Sequence, residues 1–531
     1  MRRIFSAMLI ILWAVSFSNA EEKEIIYNLG IDPQTIDPAV NYALDGAIVD
    51  ANIFEGLLRT GFNNNPEPGC AESWDVSPDG LKWTFHLRDN LKWSDGVPLT
   101  ASHFRDGILR LVDPKTGSAY ATLGFFIRNA ESFYNGKSQS TDVGLYAPDD
   151  RTLIIELEHV NPLMLYFMAL PQFLPARMDI VNENPRGWSA KPETTITNGP
   201  FRIESWRHGP GGEIVIVKNP HYWDEDNVEI DRVRMVLIGD GNTALASFKA
   251  GRVDFMTSVP ALMIPLLLKR GEAVAEPSYT AAYIDFNVTR KPFDDVRVRR
   301  AFALAIDRKI ITDKILRGGD EPATGMICSN IPGVNASEDF RTEGGALIPA
   351  SANIEEARRL MAEAGYPNGE GFPEVTYKYS SSSGRKILPE VFQGMWKTAL
   401  GVKVNLANEE WKVFLTTKRN GNFDICVSAW AMDYPDASNL LDTMISNSPN
   451  NATRYSNPEF DSLMKKAEFE PDRAKRINYL HEAEKILADD MPMIPIYFAS
   501  NVVMKSKRVK GIYLAPTGIV YFRGAELEDD D

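Results

Sequence analysis

Residue types that build metal sites and disulfide frameworks are scarce in this 531-residue sequence, which has three cysteines and six histidines. Cys70, Cys328 and Cys426 lie far apart and show no metal-ligand spacing, and the histidines form no HExxH pattern. The sequence therefore predicts no metal site and no disulfide framework. One disulfide with one thiol left over stays open as an alternative. Buried, reduced cysteines that act as small hydrophobic residues are favoured.

Motifs of nucleophilic catalysis and of phosphate binding are missing as well. No GxSxG nucleophile elbow occurs, and the glycine-rich residues 209–212 lack the GxxxxGK[ST] pattern and the following helix of a phosphate loop. Their neighbours suit a β-hairpin instead. An enzyme hypothesis therefore starts without a nucleophile, and the sequence predicts a protein that is not an enzyme and holds no cofactor.

Basic residues are fewer than acidic ones, with 57 Lys and Arg against 72 Asp and Glu, which gives a net charge of −15. No basic run interleaved with aromatic residues occurs, so nucleic acid is not a predicted partner. The only run of like charge, residues 526–531, is predicted to be a solvated tail. After the N-terminal region, no apolar stretch reaches membrane-spanning length. A soluble mature protein is expected.

The N-terminal residues 1–20 have the features of a secretory signal peptide. Arg2 and Arg3 precede an apolar run at 7–15, and small residues follow up to Ala20. The apolar run is too short for a permanent anchor, although a retained anchor helix is the alternative. Cleavage after Ala20 makes Glu21 the mature N-terminus, and the loss of two arginines changes the net charge from −15 to −17. The predicted location is the periplasm.

The mature chain is longer than one hydrophobic core usually serves, so two or three lobes are expected. Alternating or β-branched runs predict strands at 83–87, 152–157, 213–218 and 233–238. Apolar residues at helical spacing predict a helix that starts after an Asn353 cap and stops at Gly365, and a second around 477–487 that ends before Pro492. The pattern indicates a mixed α/β protein with turns at 78–80, 94–96, 198–200 and 209–212.

Eight segments then occur in a fixed order along nearly the whole mature chain: 30–38 (GIDPQTIDP), 54–58 (FEGLL), 71–74 (AESW), 78–88 (PDGLKWTFHLR), 93–101 (WSDGVPLTA), 198–201 (NGPF), 218–223 (KNPHYW) and 292–299 (PFDDVRVR). Together they resemble the family of oligopeptide, dipeptide and nickel receptors of ABC importers, the bacterial extracellular solute-binding proteins of family 5. Most of these residues are structural. Trp83, Trp93 and Trp206 are expected to fill the cores of the lobes.

The resemblance implies a fold of the periplasmic-binding-protein type II-like class, α/β, with two main lobes around a ligand cleft and an extra inserted domain. After the signal peptide at 1–20, lobe I is expected to combine 21–54, 184–279 and 501–531. The inserted domain is expected at 55–183, and lobe III at 280–500. Lobes of this kind close on their ligand by a hinge motion.

The same resemblance implies a ligand site late in the chain. Asp433 would pair with the free α-ammonium of a peptide, whereas its position two residues before Pro435 would otherwise indicate an ordinary turn residue. Backbone groups of an extended ligand would pair with Trp430, Ala431 and Met432 on one side and with Ala43 and Leu44 on the other, as in β-augmentation. The candidates for side-chain pockets are Tyr120, Trp411 and Trp430. For Tyr120, a packed aromatic residue is an equally supported interpretation.

Departures from the family pattern concern the far end of the ligand. Lys418 and Val427 stand where a well-studied member has two arginines, and Ala431 stands where it has a cysteine. A lysine supplies a point charge without the bidentate fork of arginine, and valine supplies none. Lys418 is therefore a candidate contact, but recognition of a free C-terminus is expected to be weak.

The implied function is a periplasmic substrate-binding protein of an ABC transporter, which captures oligopeptides in extended conformation and delivers them to an inner-membrane permease. A monomer is expected. Receptors of the same family for nickel complexes, haem, opines or sugars are the first alternative, and a secreted hydrolase or a periplasmic folding helper are the others. Asp433 favours peptides, because a ligand without an α-amine does not need it.

Overall fold

The three-dimensional structure is a computed structural model, which describes residues 22–335, 338–380 and 387–528. The predicted signal peptide and Glu21 lie outside the described residues. Within them the fold is mixed α/β, as predicted. None of the helices in these ranges combines the length and the apolar character that crossing a membrane requires.

The strands of the described ranges are short except for two. They are β1 Glu24–Asn28, β2 Leu58–Thr60, β3 Pro66–Pro68, β4 Ala71–Val76, β5 Lys82–Leu87, β6 Leu145–Asp149, β7 Thr152–Glu156, β8 Phe201–Arg207, β9 Glu213–Lys218, β10 Arg232–Val236, β11 Phe255–Met256, β12 Val274–Phe286, β13 Glu321–Pro322, β14 Val375–Ser380, β15 Val404–Glu409, β16 Ile425–Ala431, β17 Met493–Lys505, β18 Val509–Lys510, β19 Tyr513–Leu514, β20 Val520–Tyr521 and β21 Glu526–Leu527. The four predicted strands are confirmed as β5, β7, β9 and β10.

The helices are spread along the chain. They are α1 Leu44–Ile53, α2 Ala101–Val112, α3 Ala130–Tyr134, α4 Met164–Phe167, α5 Met178–Glu183, α6 Gly241–Lys249, α7 Ile264–Lys269, α8 Val296–Leu304, α9 Arg308–Ile310, α10 Phe340–Gly344, α11 Ile354–Glu363, α12 Leu388–Leu400, α13 Trp411–Arg419, α14 Ser438–Leu441, α15 Pro458–Phe469 and α16 Arg473–Asp490. Short 3₁₀ turns lie at Ala121–Gly124, Ser140–Asp142, Pro171–Phe173, Trp188–Ala190, Glu225–Asn227, Pro367–Gly369 and Asp442–Met444, and a π-helical turn lies at Ile311–Leu316.

Helix α11 forms for the reasons that the sequence indicates. The Asn353 side chain accepts a hydrogen bond from the Glu356 N–H at 3.2 Å, which caps the first turn. Gly365, with a φ of +93°, then turns the chain away after the helix. The second predicted helix is confirmed as α16, which ends at Asp490 before Pro492.

One large sheet passes through most of the molecule in the order β15-β14-β16-β12-β17-β11-β1-β10-β9-β8, with β13 also paired to β17. The two 13-residue strands, β12 and β17, lie side by side at its centre. They connect two groups of strands. One group is β1 together with β8–β11, from the first half of the chain, and the other is β14–β16, from the second half. A separate four-stranded sheet has the order β4-β5-β7-β6.

The marked turns lie where the sequence predicts them. β8 and β9 pair antiparallel around residues 209–212, which confirms the hairpin and not a phosphate loop. At Gly199 a Cβ would meet the Ile53 carbonyl carbon at 2.6 Å, so the turn at 198–200 packs directly against backbone. The three cysteines are free and buried, as interpreted from the sequence.

The prediction that three tryptophans fill the cores of the lobes is confirmed for one of them. Trp93 is fully buried. Trp83 and Trp206 are only half-buried and pack against the edge of the core. Trp83 stacks on Phe85, and the Trp206 indole N–H donates to Asp32 at 2.9 Å. Both lie on strands with one solvent-facing side, where an aromatic side chain covers the sheet surface without entering the core.

The prediction of a solvated C-terminal tail at 526–531 is wrong for its first part. Glu526–Leu527 forms strand β21, which pairs with Val509–Lys510. Backbone pairing does not depend on the charge of the side chains, and Leu527 packs against the core. Residues 529–531 lie outside the described residues.

Candidate functional site

Strand β16 has a free edge, at 427–431, as far as the described residues show. On one side it pairs antiparallel with β12 along its whole length, from Ile425 opposite Phe286 to Ala431 opposite Thr280. On the other side, β14 pairs with it only at Ile425 and Cys426. In the part of the chain that the structure describes, the edge at 427–431 therefore faces no protein strand. Such an edge can pair with an extended chain.

Asp433 lies just beyond the end of this edge and is exposed as a residue. The surrounding protein raises its pKa, and an interaction with the Tyr120 hydroxyl lowers it in part. Burial and the same carboxylate raise the pKa of Tyr120 to about 12, so the phenol stays protonated. The structure thus brings together Asp433 and Tyr120, two residues that the sequence analysis proposed separately.

Asp433 also lines a cavity where distant segments meet. The other walls include Thr60, Tyr166, Tyr279 and Ala515. The Tyr279 N–H donates to the Pro516 carbonyl at 3.0 Å, so the loop after β19 is tied to β12. The Asp433 cavity is therefore lined by segments from the beginning, middle and end of the chain.

The segment that carries Asp433 is held by a buried ion pair that the sequence analysis missed. The Asp436 carboxylate accepts two hydrogen bonds from Arg476, at 2.6 and 2.7 Å, and both side chains are buried. Burial alone raises the pKa of Asp436, but the guanidinium more than offsets this and the pKa is lowered. In the chain between Asp433 and Asp436, buried Tyr434 packs edge-on against Phe167, with the ring centroids 5.2 Å apart. Asp433 is thereby presented from a fixed backbone.

The three residues before Asp433 differ in their exposure and in their hydrogen bonds within the protein. Trp430 is half-buried, and its indole N–H donates to the Asn439 side chain at 2.8 Å. Ala431 is exposed at the end of the free edge. Met432 is buried, and its N–H donates to the Tyr279 carbonyl at 3.0 Å. Both its side chain and its N–H are therefore engaged within the protein.

Ala43 and Leu44 lie at the start of α1. The Ala43 N–H donates to the Asn41 side chain at 3.0 Å, and Asn41 in turn donates to buried Asp50 at 2.9 Å. Burial raises the pKa of Asp50 well above its ordinary value. Leu44 is half-exposed, and its side chain lies against Gly518 in the loop that also borders the Asp433 cavity.

A second cavity, of about 300 Å³, lies beside the free edge. Trp411, Lys418 and Val427 line it together with aromatic residues that include Tyr377 and Phe392. Trp411, in the first turn of α13, is about half exposed and stacks on Phe414 at 6.1 Å. The volume lies at the lower end of the usual range for ligand pockets. The structure thus brings three residues from the sequence analysis into one pocket.

Lys418 does not present a free charge to this cavity. Its amine lies 3.2 Å from the carboxylate of Asp285, which is buried, and it also hydrogen bonds to Ser428. Burial lowers the pKa of Lys418, but Asp285 outweighs this and the pKa is raised. The amine therefore stays charged and paired. Ser428 also donates a hydrogen bond to Asp285, which lies 143 residues away in sequence. Because of this separation, no local sequence pattern predicts that Asp285 belongs to the site.

Comparisons with known proteins find relatives along nearly the whole chain. The model of the bacterial extracellular solute-binding proteins, family 5 Middle, matches residues 65–452. The dipeptide-binding protein DppE of Bacillus subtilis is 34% identical over 95% of this chain and 92% of its own length. The periplasmic oligopeptide-binding protein OppA of Salmonella typhimurium is 33% identical over 93% and 90%.

A solved structure, that of Haemophilus influenzae OppA in complex with RPPGFSPFR, superimposes with a TM-score of 0.75 at 29% identity and covers 96% of this chain and 99% of its own. The fold is the type II-like binding-protein fold that the sequence predicts. The chain belongs to the bacterial extracellular solute-binding proteins of family 5.

Proposed function

We propose that this chain captures oligopeptides in extended conformation in the periplasm and delivers them to the inner-membrane permease of an ABC importer. The observation that carries the proposal is the free edge of β16, which ends at the carboxylate of Asp433. An extended peptide placed along this edge makes backbone hydrogen bonds whatever its sequence. Its terminal ammonium meets Asp433, where a charge-assisted hydrogen bond fixes the register.

The cavity beside Trp411 suits one side chain of such a peptide. The residues that line it include Ala429, four positions before Asp433, which corresponds to roughly 13 Å of extended chain. A peptide rises by about 3.3 Å per residue, so with its first residue at Asp433 the side chain that reaches this cavity belongs to about the fifth ligand residue. Aromatic walls favour bulky apolar side chains there.

The proposed receptor works by closure and not by chemistry. Its lobes are lobe I at 21–54, 184–279 and 501–531, the inserted domain at 55–183, and lobe III at 280–500. A ligand that pairs with β16 and also touches Ala43 and Leu44 joins lobes I and III and favours their closed arrangement. The proposal includes an exported precursor with a cleaved signal peptide, a monomeric receptor, and no catalytic step.

Native mass spectrometry of the purified, non-denatured protein tests the proposal. We expect co-purified ligands that dissociate as a mixture of short peptides, because backbone pairing binds many sequences. A preparation of the Asp433→Asn variant is the matched control and should retain much less peptide. A single non-peptide solute in place of peptides, such as a nickel complex, haem, an opine or a sugar, would contradict the proposal.

Amidation of the peptide C-terminus is expected to cost little, about 0–1 kcal/mol in binding free energy. The reason is that Lys418 is already paired with Asp285 and that Val427 carries no charge. Isothermal titration of a tetrapeptide and its amide measures the difference. A loss of several kcal/mol would show that another cation holds the carboxylate. The variant Val427→Arg should selectively tighten binding of the free acid.

A further inference from the structure

The Trp411 cavity, the one of about 300 Å³ beside the free edge of β16, has a single charged side chain in its wall. Among the lining residues that the structure describes, only Lys418 carries a charge at neutral pH. The others are aromatic, aliphatic or, like Ser428, polar and uncharged. A cation in an otherwise neutral wall attracts an acidic ligand side chain, unless another group neutralises that cation first.

The neutralising group lies behind this wall. The Asp285 carboxylate is 3.2 Å from the Lys418 amine, but Asp285 is buried and does not line the cavity. Ser428 donates a hydrogen bond to the same carboxylate oxygen, Oδ2. The other oxygen, Oδ1, meets no donor among the described residues. The ammonium of Lys418 is thus the cation that compensates the charge of buried Asp285.

The fold holds the two partners of this pair on different elements. Lys418 lies in the last turn of α13, and Asp285 lies on β12, opposite Cys426 of β16. The Lys418 amine is also 5.8 Å from the centroid of the Tyr283 ring, whose face attracts a cation. The ammonium therefore has a carboxylate, a hydroxyl and an aromatic ring as partners before any ligand enters the cavity.

An acidic side chain in this cavity would add an uncompensated charge. Lys418 and Asp285 together carry no net charge, so a ligand glutamate beside them loses its hydration without gaining a free cation. Glutamine has nearly the same shape and loses less, because it is neutral. We infer that Asp285 determines the charge selectivity of the Trp411 cavity: it neutralises Lys418 from behind, so the cavity accepts neutral ligand side chains and rejects acidic ones. This inference rests on the proposed function and adds a specificity to it.

Isothermal titration with pairs of hexapeptides tests the inference. The two members of a pair differ only in glutamine or glutamate at one position of an otherwise all-alanine peptide. That position is moved from the second to the fifth residue, since the fifth is expected to reach the cavity. For the wild-type protein, glutamine at the fifth residue should bind at least about tenfold more tightly than glutamate. At the other positions the difference should be much smaller.

Asp285→Asn should remove the preference for glutamine. The variant leaves Lys418 without its charged partner, so a ligand glutamate takes over that role. The glutamate-to-glutamine affinity ratio should rise by at least about tenfold relative to the wild type. The double variant Asp285→Asn with Lys418→Met removes both charges and should restore the wild-type preference. The matched control is Glu409→Gln, which disrupts a similar pair with Lys378 at 2.9 Å outside the cavity and should leave the ratio unchanged.

The outcomes separate the inference from the proposed function. Equal binding of glutamine and glutamate peptides at every position, or tighter binding of glutamate to the wild-type protein, would overturn the inference while leaving peptide binding intact. An unchanged ratio in Asp285→Asn would overturn the role of Asp285. If Asp285→Asn does not fold, the wild-type ratio still decides, together with the double variant, in which a loss of the preference would also overturn the inference. Failure of all the peptides to bind the wild-type protein would overturn the proposed function and the inference with it.

Discussion

Acetylation of the N-terminus of a peptide ligand is expected to weaken its binding by roughly 10²- to 10³-fold, or about 3–5 kcal/mol. The acetyl group removes the cation that pairs with Asp433. Asp433 is exposed in the structure, but in the proposed closed, peptide-bound receptor its carboxylate is buried against the ligand, where it then faces an uncharged amide. Tyr120 alone does not replace this partner, because its hydroxyl supplies one neutral hydrogen bond. Isothermal titration of a matched pair of tetrapeptides measures the effect.

The variant Asp433→Asn is the control for this prediction. It keeps the size of the side chain and removes its charge, so the free peptide should lose most of its advantage over the acetylated one. Equal affinities of both peptides for the wild-type protein would refute the role of Asp433. The comparison with amidation, for which a loss of at most about 1 kcal/mol is expected, shows whether only one end of the ligand is recognised.

Asp436→Asn is expected to destabilise the folded protein by about 3–5 kcal/mol. The substitution leaves the guanidinium of Arg476 buried without its carboxylate, although the shape of the side chain is almost unchanged. Urea unfolding at neutral pH measures the free energy of unfolding. Because the folded-state pKa of Asp436 is lowered, the pair stabilises the protein fully at neutral pH, and this contribution is lost as the pH falls below about 4.

Asp489→Asn provides the matched control, since Asp489 faces Arg300 at 3.6 Å with both side chains exposed. Its loss should cost at most about 1 kcal/mol. Similar losses of stability in the two variants would contradict the view that the buried pair fixes the segment that carries Asp433.

Local patterns predicted much of the fold because they depend on neighbours in sequence. The Asn353 cap, the hairpin at 209–212 and the buried run of β9 all follow from residues within one element. The order of the strands in the large sheet does not, because β17 pairs with strands that lie far away along the chain. The strand at Glu526–Leu527 was missed for a related reason. It forms by pairing with Val509–Lys510 and has a single apolar side chain.

For the site, sequence reasoning found residues that a family pattern marks and missed those that hold them in place. Asp433, Tyr120 and Trp411 line cavities in the structure or contact each other there. Asp285 and the Asp436–Arg476 pair went unnoticed, because individual aspartates and arginines are too common for sequence alone to single out a buried pair. Lys418 was expected to face a ligand, and only the folded structure shows that Asp285 already neutralises it.

The position of β17 near the C-terminus has a consequence for biogenesis. β17 supplies the central pairing of the large sheet, where Phe255 meets Lys505 and Ile284 meets Ile494. A growing chain that lacks residues 493–505 cannot join the two halves of that sheet, and pairing across such sequence separations is slow. The large sheet is therefore completed only after residues 493–505 have been synthesised. For the exported precursor proposed above, this order keeps the large sheet incomplete while the chain is threaded through the membrane.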